Sequence, residues 1–147
     1  MRISTKGRYG LRALVDLASH AQEDAVSLVH VAQRQKVSLN YLEQVFATLR
    51  KAGIVKSQKG AQGGYMLARR PEEIKVGEIL GALEGSFSIV DEVRGKEGQD
   101  AIQSAIQELV WDRINRSVNE FLEQSTLAEL VEQYKRLQSG EGAMYYI

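Results

Sequence analysis

Ser38, Asn40, Tyr41, Glu43 and Gln44 stand together in one short stretch, and each carries a side chain that donates or accepts hydrogen bonds. Amides such as Asn40 and Gln44 can make paired hydrogen bonds to adenine, and a carboxylate such as Glu43 can accept from the cytosine amino group. Downstream, Arg50, Lys51, Lys56 and Lys59 supply cations placed to touch phosphates, where they add affinity rather than sequence information. Gln62 and Gly63 lie in a glycine-rich run from Gly60 to Gly64, where positive φ is open and a backbone can approach a sugar–phosphate wall. Each feature alone is ordinary, because polar helix faces mostly meet solvent and glycine-rich hairpins are mostly turns. Their order along the chain is what points to base reading.

That chemistry needs a helix to present the amides and a hairpin to carry the cations. Apolar residues Tyr9, Leu11, Leu14, Val15, Leu17 and Ala18 recur at helical spacing and predict a first helix from Thr5 to about Ala21, with Gly7 and Gly10 weakening its start. The polar run Gln22-Glu23-Asp24 makes a turn, and Val26 makes a brief extended segment. Ser27 caps a short second helix ending near Gln35, Lys36-Val37 turns, and Ser38 caps a third helix that Ala52-Gly53 stops. Ile54 to Ser57 and Tyr65 to Leu67 read as the strands of a hairpin. Pro71 opens a connection to a fourth helix near Val76–Leu83. Residues 85–100 read as a loop. A long helix from about Asp100 to Gln124 carries an apolar stripe that includes Ile102, Ile106, Leu109, Val110, Ile114 and Phe121, long enough to need a partner helix. Trp111, near its middle, reads as a packing anchor, and Thr126 caps a last short helix. The predicted fold is mainly α with a small β-hairpin wing: a winged helix-turn-helix over 1–84, a linker loop and dimerisation helix over 85–138, and a flexible tail over 139–147.

The net charge is zero, but its distribution is lopsided. Residues 1–77 hold 13 Lys/Arg against 6 Asp/Glu, and residues 78–147 hold 6 against 13, so a basic half is joined to an acidic one. Such asymmetry is expected when one end of a protein meets a polyanion. There is no cysteine, which excludes disulfides, thiolate nucleophiles and cysteine-held metal centres together. No apolar run reaches membrane-spanning length and the N-terminus lacks an export segment, so the expectation is a cytoplasmic protein with no membrane partner. An enzyme has little support: no nucleophile–base pair, phosphate loop or metal set stands out.

The stretch Ile3-Ser4-Thr5-Lys6-Gly7-Arg8-Tyr9-Gly10-Leu11 resembles the opening of the Rrf-two family of winged-helix transcription regulators. So do Ser38-Leu39-Asn40-Tyr41-Leu42-Glu43-Gln44, Leu49-Arg50-Lys51-Ala52-Gly53-Ile54-Val55, Gly60-Ala61-Gln62-Gly63-Gly64-Tyr65 and Ile74-Lys75-Val76-Gly77-Glu78-Ile79. The resemblance covers essentially the whole chain. It implies a homodimer crossed through the long helix and a partly palindromic double-stranded DNA operator. Many members hold an iron–sulfur cluster on three cysteines before the long helix; here Phe87 to Ala101 contains neither cysteine nor histidine, so no such cluster, and no cofactor, is expected. His20 and His30 read as surface or helix-end residues.

Among the cysteine-free members, the chain is most similar to the repressors of cysteine metabolism, whose termini also end in two aromatics and an isoleucine. This implies that Tyr145, Tyr146 and Ile147 enter the active-site cleft of O-acetylserine sulfhydrylase (CysK), backbone amides holding the terminal carboxylate. The alternative is a tail packed on its own dimer. Two further alternatives are an adaptor that has lost DNA and a regulator that binds a small molecule directly, between the fourth helix and the long helix.

Overall fold

The structure is a computed structural model that describes residues 3–21, 24–85 and 100–140. The order is α1 (Thr5–His20), α2 (Leu28–Gln35), α3 (Leu39–Lys51), β1 (Val55–Gln58), β2 (Gly64–Leu67), a 3-10 turn (Pro71–Glu73) and α4 (Val76–Glu84). Then come α5 (Ala101–Ile106), a π-helical turn (Gln107–Trp111), α6 (Asp112–Gln124) and α7 (Leu127–Gln138). The loop expected over 85–100 falls almost wholly outside the described residues, as do Gln22, Glu23 and the tail beyond Gly140.

Short hydroxyl side chains start four of the described helices. Ser4, Ser27, Ser38 and Thr126 each accept from a backbone N–H of the first turn, satisfying a donor with no partner inside the helix. Between α2 and α3, Lys36 takes a left-handed conformation at φ 56°. A non-glycine residue there costs about 1–2 kcal/mol. Val37 N–H bonds back to Ala32 O at 3.1 Å and holds the turn tight.

The core lies where α1, α3 and α4 meet. Leu14, Leu17, Leu42, Val45, Phe46, Leu49 and Ile79 are fully buried there, and Leu127 and Val131 bring α7 back against it. Burying one such side chain contributes about 1.5–3 kcal/mol. Gly10 serves this packing: a Cβ on it would stand 2.4 Å from Leu83 Cδ1, so its lack of a side chain lets α1 and α4 approach. In the sequence alone it is only a weak helix former. An antiparallel bridge from Lys75 to Thr126 joins the entry of α4 to that of α7.

The hairpin pairs Val55 with Leu67, Lys56 with Met66, Ser57 with Tyr65 and Gln58 with Gly64. Tyr65 also exchanges backbone hydrogen bonds with Val26, at 2.8 and 2.9 Å, so the extended residue before α2 is tied to the wing. The predicted long helix is interrupted: a π turn sits at its centre, an irregularity that periodicity did not foresee. The last helix is longer than expected, running 12 residues. Trp111 is half-buried in the π turn, and its Nε1 is buried without a hydrogen-bond partner among the described residues.

One polar contact in the core was also unforeseen. Asp16 on α1 is only 5% exposed, and it accepts from Arg34 Nε at 3.0 and 3.1 Å, Arg34 Nη2 at 2.7 Å and Gln35 Nε2 at 2.8 Å. A buried carboxylate must be paired in this way, and the pairing fastens the end of α2 to α1. The hydrogen bond to Asp16 raises the Arg34 pKa. A raised folded-state pKa leaves the arginine's contribution intact below its ordinary value, to be lost only as pH climbs through the raised one, so it persists at neutral pH. Replacing Asp16 by Ala is expected to cost about 2–3 kcal/mol in urea unfolding, since Arg34 can turn to solvent while its hydrogen bonds to Asp16 are lost. A change below about 0.5 kcal/mol would show that the contact is not a fastening.

Candidate nucleic-acid interface

α3 is amphipathic in the way a groove-reading helix must be. Leu42, Val45, Phe46 and Leu49 anchor one face, while Asn40, Glu43 and Gln44 are exposed on the other. Ser38 sits at the N-cap, its Oγ accepting from Tyr41 N–H at 3.1 Å. Its hydroxyl therefore starts the helix as well as standing at the surface. Tyr41 departs from expectation. It is half-buried and packed against the core, because its position turns the ring toward the apolar side. Leu39, 37% exposed, stands at the surface of the first turn. Its apolar side chain gives no polar signal in the sequence, although apolar side chains on a reading helix can contact the thymine methyl.

The cations gather at the far end of α3 and on the hairpin. Arg50, Lys51, Lys56 and Lys59 are exposed, as is Gln62 at the tip. Arg50 Nη1 reaches Ser57 Oγ at 3.4 Å, which places the end of α3 against β1. Gly63 corrects the sequence reading: it has no positive φ. A Cβ there would stand 2.4 Å from Gln58 O and 2.8 Å from Gly60 O, so it is glycine because the turn closes on itself. At Gly60, φ is 114°, as the expected turn conformation requires. Phe46 and Tyr65 pack at 5.2 Å between ring centroids, inclined by 56°, so the reading helix and the wing share one aromatic contact.

Lys6, absent from the expected set, donates to Thr48 Oγ1 at 3.3 Å and brings the start of α1 beside α3. Other basic residues near the hairpin are already engaged: Arg69 pairs with Glu78, and Arg70 with Glu72 at 3.5 Å. The residues expected to form the dimer seam are all at the surface, with Ile102 68%, Leu109 61% and Phe121 65% exposed, and Ile106, Val110 and Ile114 beside them. Leu137, also exposed, was not anticipated. Tyr145, Tyr146 and Ile147 lie outside the described residues. His20 is at the surface, at the end of α1, with Nδ1 2.7 Å from Asp16 O, and His30 is exposed on α2. Among the described residues no helix is long and apolar enough to cross a membrane.

A capped helix with a polar outer face, preceded by a tight helix-turn-helix and followed by a basic two-stranded wing, defines a winged-helix DNA-binding regulator. The comparisons with known proteins agree. Residues 3–133 match the family described as Rrf2, iron-dependent transcriptional regulator, and the chain belongs to that family. The HTH-type transcriptional regulator IscR of Aliivibrio salmonicida (strain LFI1238) is 40% identical over 131 residues, 89% of this chain and 77% of that protein. Among solved structures, CymR (YrzC), the global cysteine regulator of B. subtilis, matches with a TM-score of 0.78 at 41% identity, over 90% of this chain and 98% of that one. IscR of T. potens matches with a TM-score of 0.78 at 44% identity, over 99% and 97%. The relatives are named transcriptional regulators, and this chain is a regulator rather than an enzyme.

The family description names iron, and the residues here do not fit a cysteine-held iron centre. The chain has no thiolate to offer, and among the described residues no group of three or more His, Cys, Asp or Glu could hold a metal ion. Anaerobically purified protein is therefore expected to be colourless and to bind its operator in the presence of a strong iron chelator. Visible absorption that tracks with DNA binding would contradict this.

The two kinds of surface residue separate in a binding experiment. Gln44→Ala is expected to cost about 1–3 kcal/mol on cognate DNA and much less on random DNA, if its amide pairs with a base. Lys59→Ala should weaken both alike and reduce the salt slope by about one unit. Equal losses on both DNAs for Gln44→Ala would remove α3 from the major groove.

Proposed function

We propose that this regulator binds a partly palindromic operator as a homodimer and represses genes of cysteine and sulfur metabolism, with O-acetylserine sulfhydrylase as its partner. The observation that carries the DNA-binding half of this reading is the exposed Asn40–Glu43–Gln44 face on a helix whose other side is fully buried. In this reading residues 1–84 form the DNA-binding head, 85–138 the dimerisation region and 139–147 the partner-binding tail. The exposed strip along α5 and α6 supports the dimer, because an apolar surface of that extent marks an interface. Two copies then read two half-sites about one helical turn apart.

Support for the cysteine-metabolism role comes from the likeness to CymR, described as a global cysteine regulator, together with the absence of cysteine from the chain. A terminal isoleucine can fill an apolar cleft while its carboxylate is held by backbone amides. O-acetylserine, occupying the same cleft, would then release the regulator when sulfur is scarce.

Direct sensing of a small molecule is the second reading, and a cavity of about 330 Å³ between α1 and α7 favours it. Leu11, Val15, Leu130 and Tyr134 give it an apolar lining, and Arg8, Arg12, Asp16 and Gln35 add charges of both signs and an amide. This is not the place expected from the sequence. Between α4 and α6, Gly77 lies so close that a Cβ would stand 3.1 Å from Leu122 Cβ.

Calorimetry separates the two readings. The full chain titrated into the sulfhydrylase is expected to bind, and deletion of Ile147 alone should abolish the heat while operator binding survives. Equal heats for both forms, or none, would end the partnership. Saturable heat from O-acetylserine added to the regulator alone would favour the cavity instead.

A further inference from the structure

The long helix consists of two α-helical halves joined by the π turn, and the turn changes where its side chains point. In an uninterrupted α-helix each residue advances about 100°. Ile102 and Ile106 upstream would then face about 90° away from Ile114 and Phe121 downstream. One extra residue accommodated in a π turn takes out about 100° of rotation, returning the two pairs to within about 10° of each other. All four side chains are exposed. An unbroken α-helix would divide them between two faces.

A side-chain contact holds this arrangement. Asp112 N–H donates to Gln107 O, the bond that closes the π turn, and Gln107 Nε2 donates to Asp112 Oδ1 at 2.8 Å. On an α-helix, residues five apart are about 140° apart and do not meet. The side-chain hydrogen bond therefore accompanies the π register.

We propose that the π turn sets the register of the dimer seam, aligning Ile102, Ile106, Ile114 and Phe121 into one strip that the same helix of a second copy covers, with Gln107–Asp112 as its lock. The inference rests on the homodimer reading above. A second copy is the occupant the surface favours, because a two-fold contact needs a self-complementary patch. The exposed charges of this helix, Glu108, Arg113, Arg116 and Glu120, fall roughly 95–155° round its axis from the strip, so the strip is itself apolar and the same strip of a second copy covers it without burying a charge.

Sedimentation of the full chain over a range of concentrations tests it. Deleting Glu108 removes the extra residue, and the variant is expected to sediment as a monomer with unchanged helical circular dichroism. Glu108→Ala keeps the residue count and should dimerise as the wild type does. Gln107→Ala, which removes the lock alone, should raise the dimer dissociation constant about fivefold. A monomeric wild type would overturn the dimer reading and this proposal with it. A dimeric wild type whose Glu108-deleted form dimerises equally well would overturn the register proposal alone. Should the deletion unfold the protein, an unchanged dissociation constant for Gln107→Ala would overturn it.

Discussion

The contact between Phe46 and Tyr65 ties the DNA-facing elements together. Phe46 is wholly buried on the inner side of α3, and its ring meets Tyr65 on the returning strand of the wing. The backbone of Tyr65 is in turn bonded to Val26, immediately before the cap of α2. Through one aromatic pair and one backbone bridge, the bracing helix, the reading helix and the wing are held in a fixed relation. That matters because paired hydrogen bonds to a base edge demand a side chain in one place, and the entropy of a loose frame would be charged against binding. Asp16 secures the same frame from behind by fastening Arg34 and Gln35, at the end of α2, to α1.

The charge distribution and the apolar surface divide the work of the chain. Thirteen of the 19 Lys/Arg lie in the half that carries α3 and the hairpin, and the acidic half carries the helices with the exposed apolar strip. A wholly basic protein would bind DNA indiscriminately through phosphates. Here the acidic half offers DNA no attraction, which in the proposed reading favours approach through the basic half and leaves the exposed apolar strip for a second copy.

Much of this was legible in the sequence because it depends on local chemistry. Ser27, Ser38 and Thr126 announce helix starts by the oxygen each carries, and the glycines from Gly60 to Gly64 announce the hairpin. What escaped detection depends on contacts distant in sequence or on small departures from regular geometry. Nothing near Asp16 in the sequence says that Arg34 will reach it. Gly10 looks like a weak helix residue until Leu83 is set against it. Tyr41 has a polar tip and an apolar ring, and only the packed core decides that the ring wins. The π turn was hidden because apolar residues at four-residue spacing still look helical, and the drift of their phase shows only when the whole run is laid around an axis.

The central claim is that α3 enters the major groove, and guanine N7 methylation interference on the operator tests it most directly, because N7 lies on the major-groove edge. The account requires two clusters of interfering positions, about 10 base pairs apart between their centres, one for each reading helix of a dimer. Interference at a single cluster, or none at N7 while minor-groove modification blocks binding, would contradict it.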